Sequence, residues 1–226
     1  MRKFFNLENP VWSFFSKIFC MVYLNLLWLV CCLPVVTIGP STTALYYAMF
    51  KVLSGDDSEL TRHFFHSFRQ NLKQGMVLGM IATAAGVVCV IDYIYYIVAP
   101  GKIDSVMQVF QIIIVLLYLM ILTWLFGVLA KFENTSLNIL QFSFFLSFKH
   151  FGYTLMMLVM EISIFLIEFF YVPLLALFGM GLISFVKCIC FRAVFQKYVP
   201  EPPEEILDDA EDSEDCETDT KDTATF

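Results

Sequence analysis

Three carboxylates, Asp92, Glu161 and Glu168, fall inside long apolar stretches of this 226-residue chain. An acid at the centre of a bilayer costs on the order of 2.5–3.5 kcal/mol on insertion scales, so such residues usually face a bundle interior or a wet cavity, where they hold protons or polar substrates. Glu161 and Glu168 are two helical turns apart and share a helix face. With Lys187 as a partner they would form a proton or substrate path. Against this stands the plainer reading that Asp92 and Glu168 lie near the outer interface and reach water, which leaves only Glu161 deep.

The other polar constellations point to structure before chemistry. Thr37, Ser41, Thr42 and Thr43 cluster around Pro34, Gly39 and Pro40, where hydroxyls can bond the backbone groups that proline and glycine leave unpaired. His63, His66 and His150 fall on or beside two interfacial helices, where protonation or lipid headgroups could matter, and a solvated surface role is the leading reading. Cys188 and Cys190 lack a histidine or second cysteine pair at zinc-ligand spacing. There is no phosphate loop and no nucleophile with a base at usable spacing. Neither an enzyme nor any cofactor or metal is expected.

Composition sets the frame for these residues. Hydrophobic residues make up 59% of the chain, Phe occurs 25 times, and the mean hydropathy is +0.74. Soluble proteins sit nearer ~45–50% apolar. An all-α, polytopic integral membrane protein follows, with five to six membrane segments. The net charge of −7 comes mainly from residues 200–226, an acidic tail expected to be disordered, while the links near the apolar runs are basic. No nucleic-acid partner is expected, the bilayer is the partner required, and oligomeric state is left open. The seven cysteines are odd in number and mostly lie in apolar runs, so they read as small hydrophobes.

The first apolar stretch, about Ile18 to Leu53, is broken by Leu33-Pro34-Val35-Val36-Thr37-Ile38-Gly39-Pro40, since proline lacks a donor N–H and glycine gives up backbone order. Each half falls short of the ~20 residues a straight span needs, so a tilted hairpin or a re-entrant loop is expected. From Ser58 to Gln74, Leu60, Phe64, Phe68 and Leu72 recur every fourth residue and predict an interfacial amphipathic helix. Spans are predicted at about 76–99 and 106–130, a second interfacial helix at 134–150, and room for two further spans from Thr154 to Phe191. Tyr93, Tyr95, Tyr96 and Tyr171 read as an outer aromatic belt. The membrane domain would cover residues 1–199.

Phe64-Phe65-His66-Ser67-Phe68-Arg69 recurs as Phe144-Phe145-Leu146-Ser147-Phe148-Lys149, and at the same offset Thr43, Leu45, Lys51 and Leu60 meet Thr123, Leu125, Lys131 and Leu140. An internal repeat of about 41–99 and 121–172 is the expectation. If the first stretch is a hairpin, the basic N-terminus, the 51–73 and 131–149 links and the C-terminal end share one side, with only Lys102 opposite. That places both termini in the cytoplasm of a cell carrying the protein in its inner membrane. A re-entrant first arm gives the same sides.

Asn9-Pro10, Leu24-Asn25-Leu26-Leu27-Trp28, the Leu33–Pro40 string, Ala44-Leu45-Tyr46-Tyr47 and Phe64-Phe65-His66-Ser67-Phe68-Arg69-Gln70-Asn71 together resemble the YesL family, bacterial membrane proteins of unknown function. The likeness is carried by the first third of the chain and, beyond it, by hydropathy. Ser41-Thr42-Thr43 stands where the family has small residues, and the acidic tail is an addition. The resemblance implies a multi-span protein often encoded beside carbohydrate-uptake transporters, with no catalytic residues to carry over. An accessory component docking to transporter membrane subunits is the leading expectation, with Phe64, Phe68, Arg69, Phe144, Phe148 and Lys149 as contacts. A small secondary transporter or channel using the intramembrane carboxylates is the alternative.

Overall fold

A computed structural model describes residues 10–56, 59–98, 105–132, 134–170 and 176–198. Among them every regular element is helical: α1 (Pro10–Cys31), a short 3-10 turn (Val35–Thr37), α2 (Ile38–Leu53), α3 (Leu60–Gln70), α4 (Leu72–Val98), α5 (Ser105–Lys131), α6 (Ser136–Lys149), α7 (Phe151–Phe170) and α8 (Ala176–Phe195). The chain divides into two compact units, Met1–Phe191 and Arg192–Phe226. The acidic tail, Tyr171 and the side chain of Glu168 lie outside the described residues.

The break falls where Pro34 and Gly39 require it. Regular helix stops at Cys31 and resumes at Ile38, and the Trp28 indole N–H donates to Thr42 Oγ1 at 3.2 Å, which brings the two arms side by side. Beyond α2, Gly55 takes a φ of +92°, a left-handed conformation that glycine adopts without a Cβ penalty. Asp56 then lies 3.8 Å from Lys51 Nζ and 2.9 Å from His63 Nε2, tying the end of α2 to α3. The Tyr23 and Thr61 hydroxyls, 2.7 Å apart, fix the start of α3 to α1.

Two helices are long and apolar enough to cross a membrane, through Leu72–Tyr95 and Val106–Lys131, and a third crossing arises if α6 and α7, bent by 97°, count as one. Two to three candidate spans therefore stand among the described residues, where five to six segments are expected from hydropathy; the arms of the first stretch are short, and α6–α7 is sharply bent. Between α4 and α5 the Tyr118 hydroxyl donates to the Ala82 carbonyl at 3.1 Å, beside the small Gly86.

The core lies where α2 and α5 meet. Trp124 is fully buried, donates from its indole N–H to Thr154 Oγ1 at 2.9 Å, and packs on Phe191 with ring centroids 5.0 Å apart. Phe191 also meets Tyr46 edge-on at 5.7 Å, and Gly127 leaves it room, since a Cβ there would strike its ring. Thr43 and Leu45 of α2, and Thr123 and Leu125 of α5, are all buried.

Each predicted amphipathic helix folds back on the helix before it. α3 packs along α2 and α6 along α5. The Ser147 hydroxyl lies 2.9 Å from the Met120 carbonyl, well inside α5, and 2.8 Å from that of Ser143.

Candidate functional site

The Pro34–Pro40 break is built to close on itself. Thr37 Oγ1 stands 2.7 Å from the carbonyls of both Cys31 and Pro34, so its one proton serves two acceptors that the interrupted helix leaves open. Thr42 and Thr43 turn their hydroxyls to the carbonyls of Ile38 and Gly39 one turn back, at 2.7 and 3.0 Å. Thr37, Thr42 and Thr43 so bond the backbone as expected of the cluster, whereas the buried Ser41 hydroxyl takes no such part.

Gly39 and Pro40 have a second role that sequence reasoning missed. A Cβ on Gly39 would run into the Gly75 carbonyl oxygen and come within 3.1 Å of Gly79 Cα, while one on Gly75 would reach 2.9 Å from Pro40 N. The start of α2 thus crosses the start of α4 backbone against backbone. The signal was present as Gly75-Met76-Val77-Leu78-Gly79, the small-xxx-small spacing of close helix crossings in membranes. The crossing sets the break beside the first turns of α4 and not at its far end.

Of the three acids, Asp92 and Glu161 have described side chains, and they differ in setting. Asp92 is exposed on α4. Glu161 of α7 meets Lys187 of α8, Oε2 to Nζ, at 2.7 Å; Lys187 is 3% exposed and Glu161 34%. Around this pair stand the Tyr46 phenol of α2, which feels the Glu161 charge and hydrogen-bonds with Ser184, and Cys188, whose Sγ lies 3.7 Å from the Tyr46 carbonyl. A buried ammonium is tolerated only when its charge is met, so the pair joins α7 to α8 while one side of the carboxylate stays open. Such a site can hold a proton or exchange its partner for another cation. Sequence reasoning named Lys187 but not Tyr46 or Ser184, which come from distant segments.

The two short helices present unlike faces. Phe64, offered by the sequence as an apolar contact for a partner, is completely buried (0% exposed), with Phe68 half-buried and its ring centroid 6.3 Å away in a stacked arrangement. The reason is the row Arg62, His66 and Arg69 on the other side, whose burial would strand charge. On α6, Phe144 and Phe148 are 48% and 49% exposed with ring centroids 4.8 Å apart, and Lys149 Nζ sits 5.2 Å above the Phe145 ring. Of the expected contact residues, Arg69, Phe144, Phe148 and Lys149 are outward and Phe64 is core.

Residues 21–93, from within α1 through most of α4, match the family described as "Protein of unknown function, DUF624". The chain is 28% identical over 180 residues to the uncharacterized protein YteU of Bacillus subtilis (strain 168), covering 77% of this chain and 80% of that protein. It is 25% identical over 185 residues to the uncharacterized protein YesL of the same organism, covering 80% and 87%. No solved structure matches. The matched region contains the break, the later part of the first arm, all of the second, α3 and the Gly75–Gly79 crossing.

Proposed function

We propose that this chain, which belongs to the YesL family of unknown function, is an integral membrane protein that acts by docking to the membrane subunits of a carbohydrate-uptake transporter, with no chemistry of its own. The observation that carries the reading is the outward aromatic face of α6, where Phe144 and Phe148 pack ring against tilted ring, half-exposed, beside the Phe145–Lys149 pair. Aromatic anchors flanked by a cation are the composition of binding hot spots. The class of partner comes from the family resemblance. Co-purification from mild detergent with the membrane subunits of a transporter encoded beside it tests the idea. Phe144→Ala with Phe148→Ala should lose the partner while the protein still inserts; retention of the partner by the double variant overturns the reading.

The protein sits in the cell membrane with both termini in the cytoplasm, as the basic links require. Its first stretch is a shallow re-entrant loop, supported by the contact of Gly39 with Gly75 and Gly79, because a full crossing would carry the break to the side away from the start of α4. With Cys31 and Cys32 changed to Ser, Val36→Cys should resist a membrane-impermeant thiol reagent applied from outside. Labelling there would restore the full hairpin.

A transporter or channel is the second reading, favoured by the Glu161–Lys187 pair on helices α7 and α8. Sugar or proton flux in liposomes holding the purified protein alone, abolished by Glu161→Gln, would promote it over the accessory role. Its structural share is separable: Glu161→Gln alone should destabilise by about 3–5 kcal/mol, and adding Lys187→Met should restore most of that, because the cost lies in the stranded buried ammonium.

A further inference from the structure

We propose that the outer face of α3 binds the phosphate headgroup of an anionic phospholipid. Arg62, Phe65, His66, Arg69 and Gln70 form one stripe of the helix and line an open groove of about 610 Å³. The inner face is anchored by buried Phe64 and Ser67, and the Tyr23–Thr61 contact fixes the first turn, so the groove is presented by a helix that does not need a ligand to hold its place. Glu59 lies 2.8 Å from Arg62 Nη1 and holds that side chain from one side, while among the described residues no salt bridge reaches Arg69. His66 is held over α2 by Tyr47, ring centroids 6.4 Å apart. Two guanidinium groups against one carboxylate leave the groove cationic.

The position of the groove selects a lipid as the source of the anion. α4 begins at Leu72, directly after α3, and carries a 24-residue stretch long and apolar enough to cross a membrane. The groove therefore stands at the level where headgroups lie. Planar guanidinium groups match phosphate oxygens two at a time. Phe65, partly exposed between the cations, supplies the apolar edge that belongs at the glycerol–acyl boundary and that a free phosphate ion would not use. At the corresponding positions of α6, Phe142 and Leu146 replace Arg62 and His66, Leu146 is buried, and Lys149 is already set over Phe145.

The test uses the full chain purified in a neutral detergent, with lipid retention read by native mass spectrometry against phosphatidylglycerol, phosphatidylcholine and inorganic phosphate. Phosphatidylglycerol should be retained in preference to phosphatidylcholine, and inorganic phosphate in equal amount should not displace it. Arg62→Gln with Arg69→Gln should weaken retention about thirtyfold, since one such cation contributes roughly fivefold. Phe65→Ser should weaken lipid retention and leave the helical circular dichroism unchanged. Equal retention of the two lipids, displacement by inorganic phosphate, or undiminished retention by a folded double variant overturns the proposal.

Discussion

α3 and α6 carry nearly the same run, Phe64-Phe65-His66-Ser67-Phe68-Arg69 and Phe144-Phe145-Leu146-Ser147-Phe148-Lys149, yet turn different faces inward. α3 buries Phe64 and Ser67; α6 buries Ile139, Ser143, Leu146 and Ser147 and leaves Phe144 and Phe148 out. In α3 the charged row settles the orientation, because Arg62, His66 and Arg69 cannot leave water or headgroups. In α6 nothing ionic intervenes before Lys149, so every face is apolar enough to bury. There close approach decides: small serines let α6 settle on α5 and put the Ser147 hydroxyl on the Met120 carbonyl. Within a chain rich in Phe, bulk alone does not choose the inner face.

The helices that follow differ in the same way. α4 crosses α2 through Gly39, Gly75 and Gly79, whereas the residues eighty positions further on are Leu119, Leu155 and Val159. The largest effect is therefore expected from Gly75→Leu, whose Cβ alone would press on the Pro40 backbone and ring. Loss of monodisperse protein from mild detergent should result, while Leu155→Ala, at a half-exposed position, should leave yield and thermal midpoint near the parent. Equal tolerance of both changes would show that the glycine crossing does not hold the first half together.

Next in size is the aromatic contrast. Phe64→Ala empties a fully buried site and should cost about 3–5 kcal/mol in denaturant unfolding, whereas Phe144→Ala should stay within roughly 0.5 kcal/mol, as surface substitutions do. Similar costs for the two changes would place the buried faces of α3 and α6 on the same residues after all. The smallest effect separates the two serines. Ser147→Ala removes a hydroxyl that bridges to α5 and should cost about 1 kcal/mol. Ser67→Ala should cost less, because Asn71 Nδ2 also lies 3.2 Å from the Ser67 carbonyl and keeps that contact.

Much of this molecule is legible in its residues. Pro34 and Gly39 stop a helix whatever surrounds them, because the missing N–H and the missing Cβ act within a turn of backbone, and the break stands at that place. The helical character of the segments, the short helices after α2 and α5, and the closing role of Thr37, Thr42 and Thr43 follow from the same local rules, as does the apolar length of α4 and α5. Which faces meet does not follow. The burial of Phe64 beside the exposure of Phe144 depends on what α2 and α5 offer to each helix. The meeting of Glu161 with Lys187 close to Tyr46 depends on side chains from α2, α7 and α8 coming near one another. The setting of the break against Gly75 depends on two backbones approaching more closely than any Cβ allows. A residue fixes its own backbone through short-range sterics, but its partners lie far along the chain, and only packing in three dimensions selects among faces that the sequence makes equally apolar.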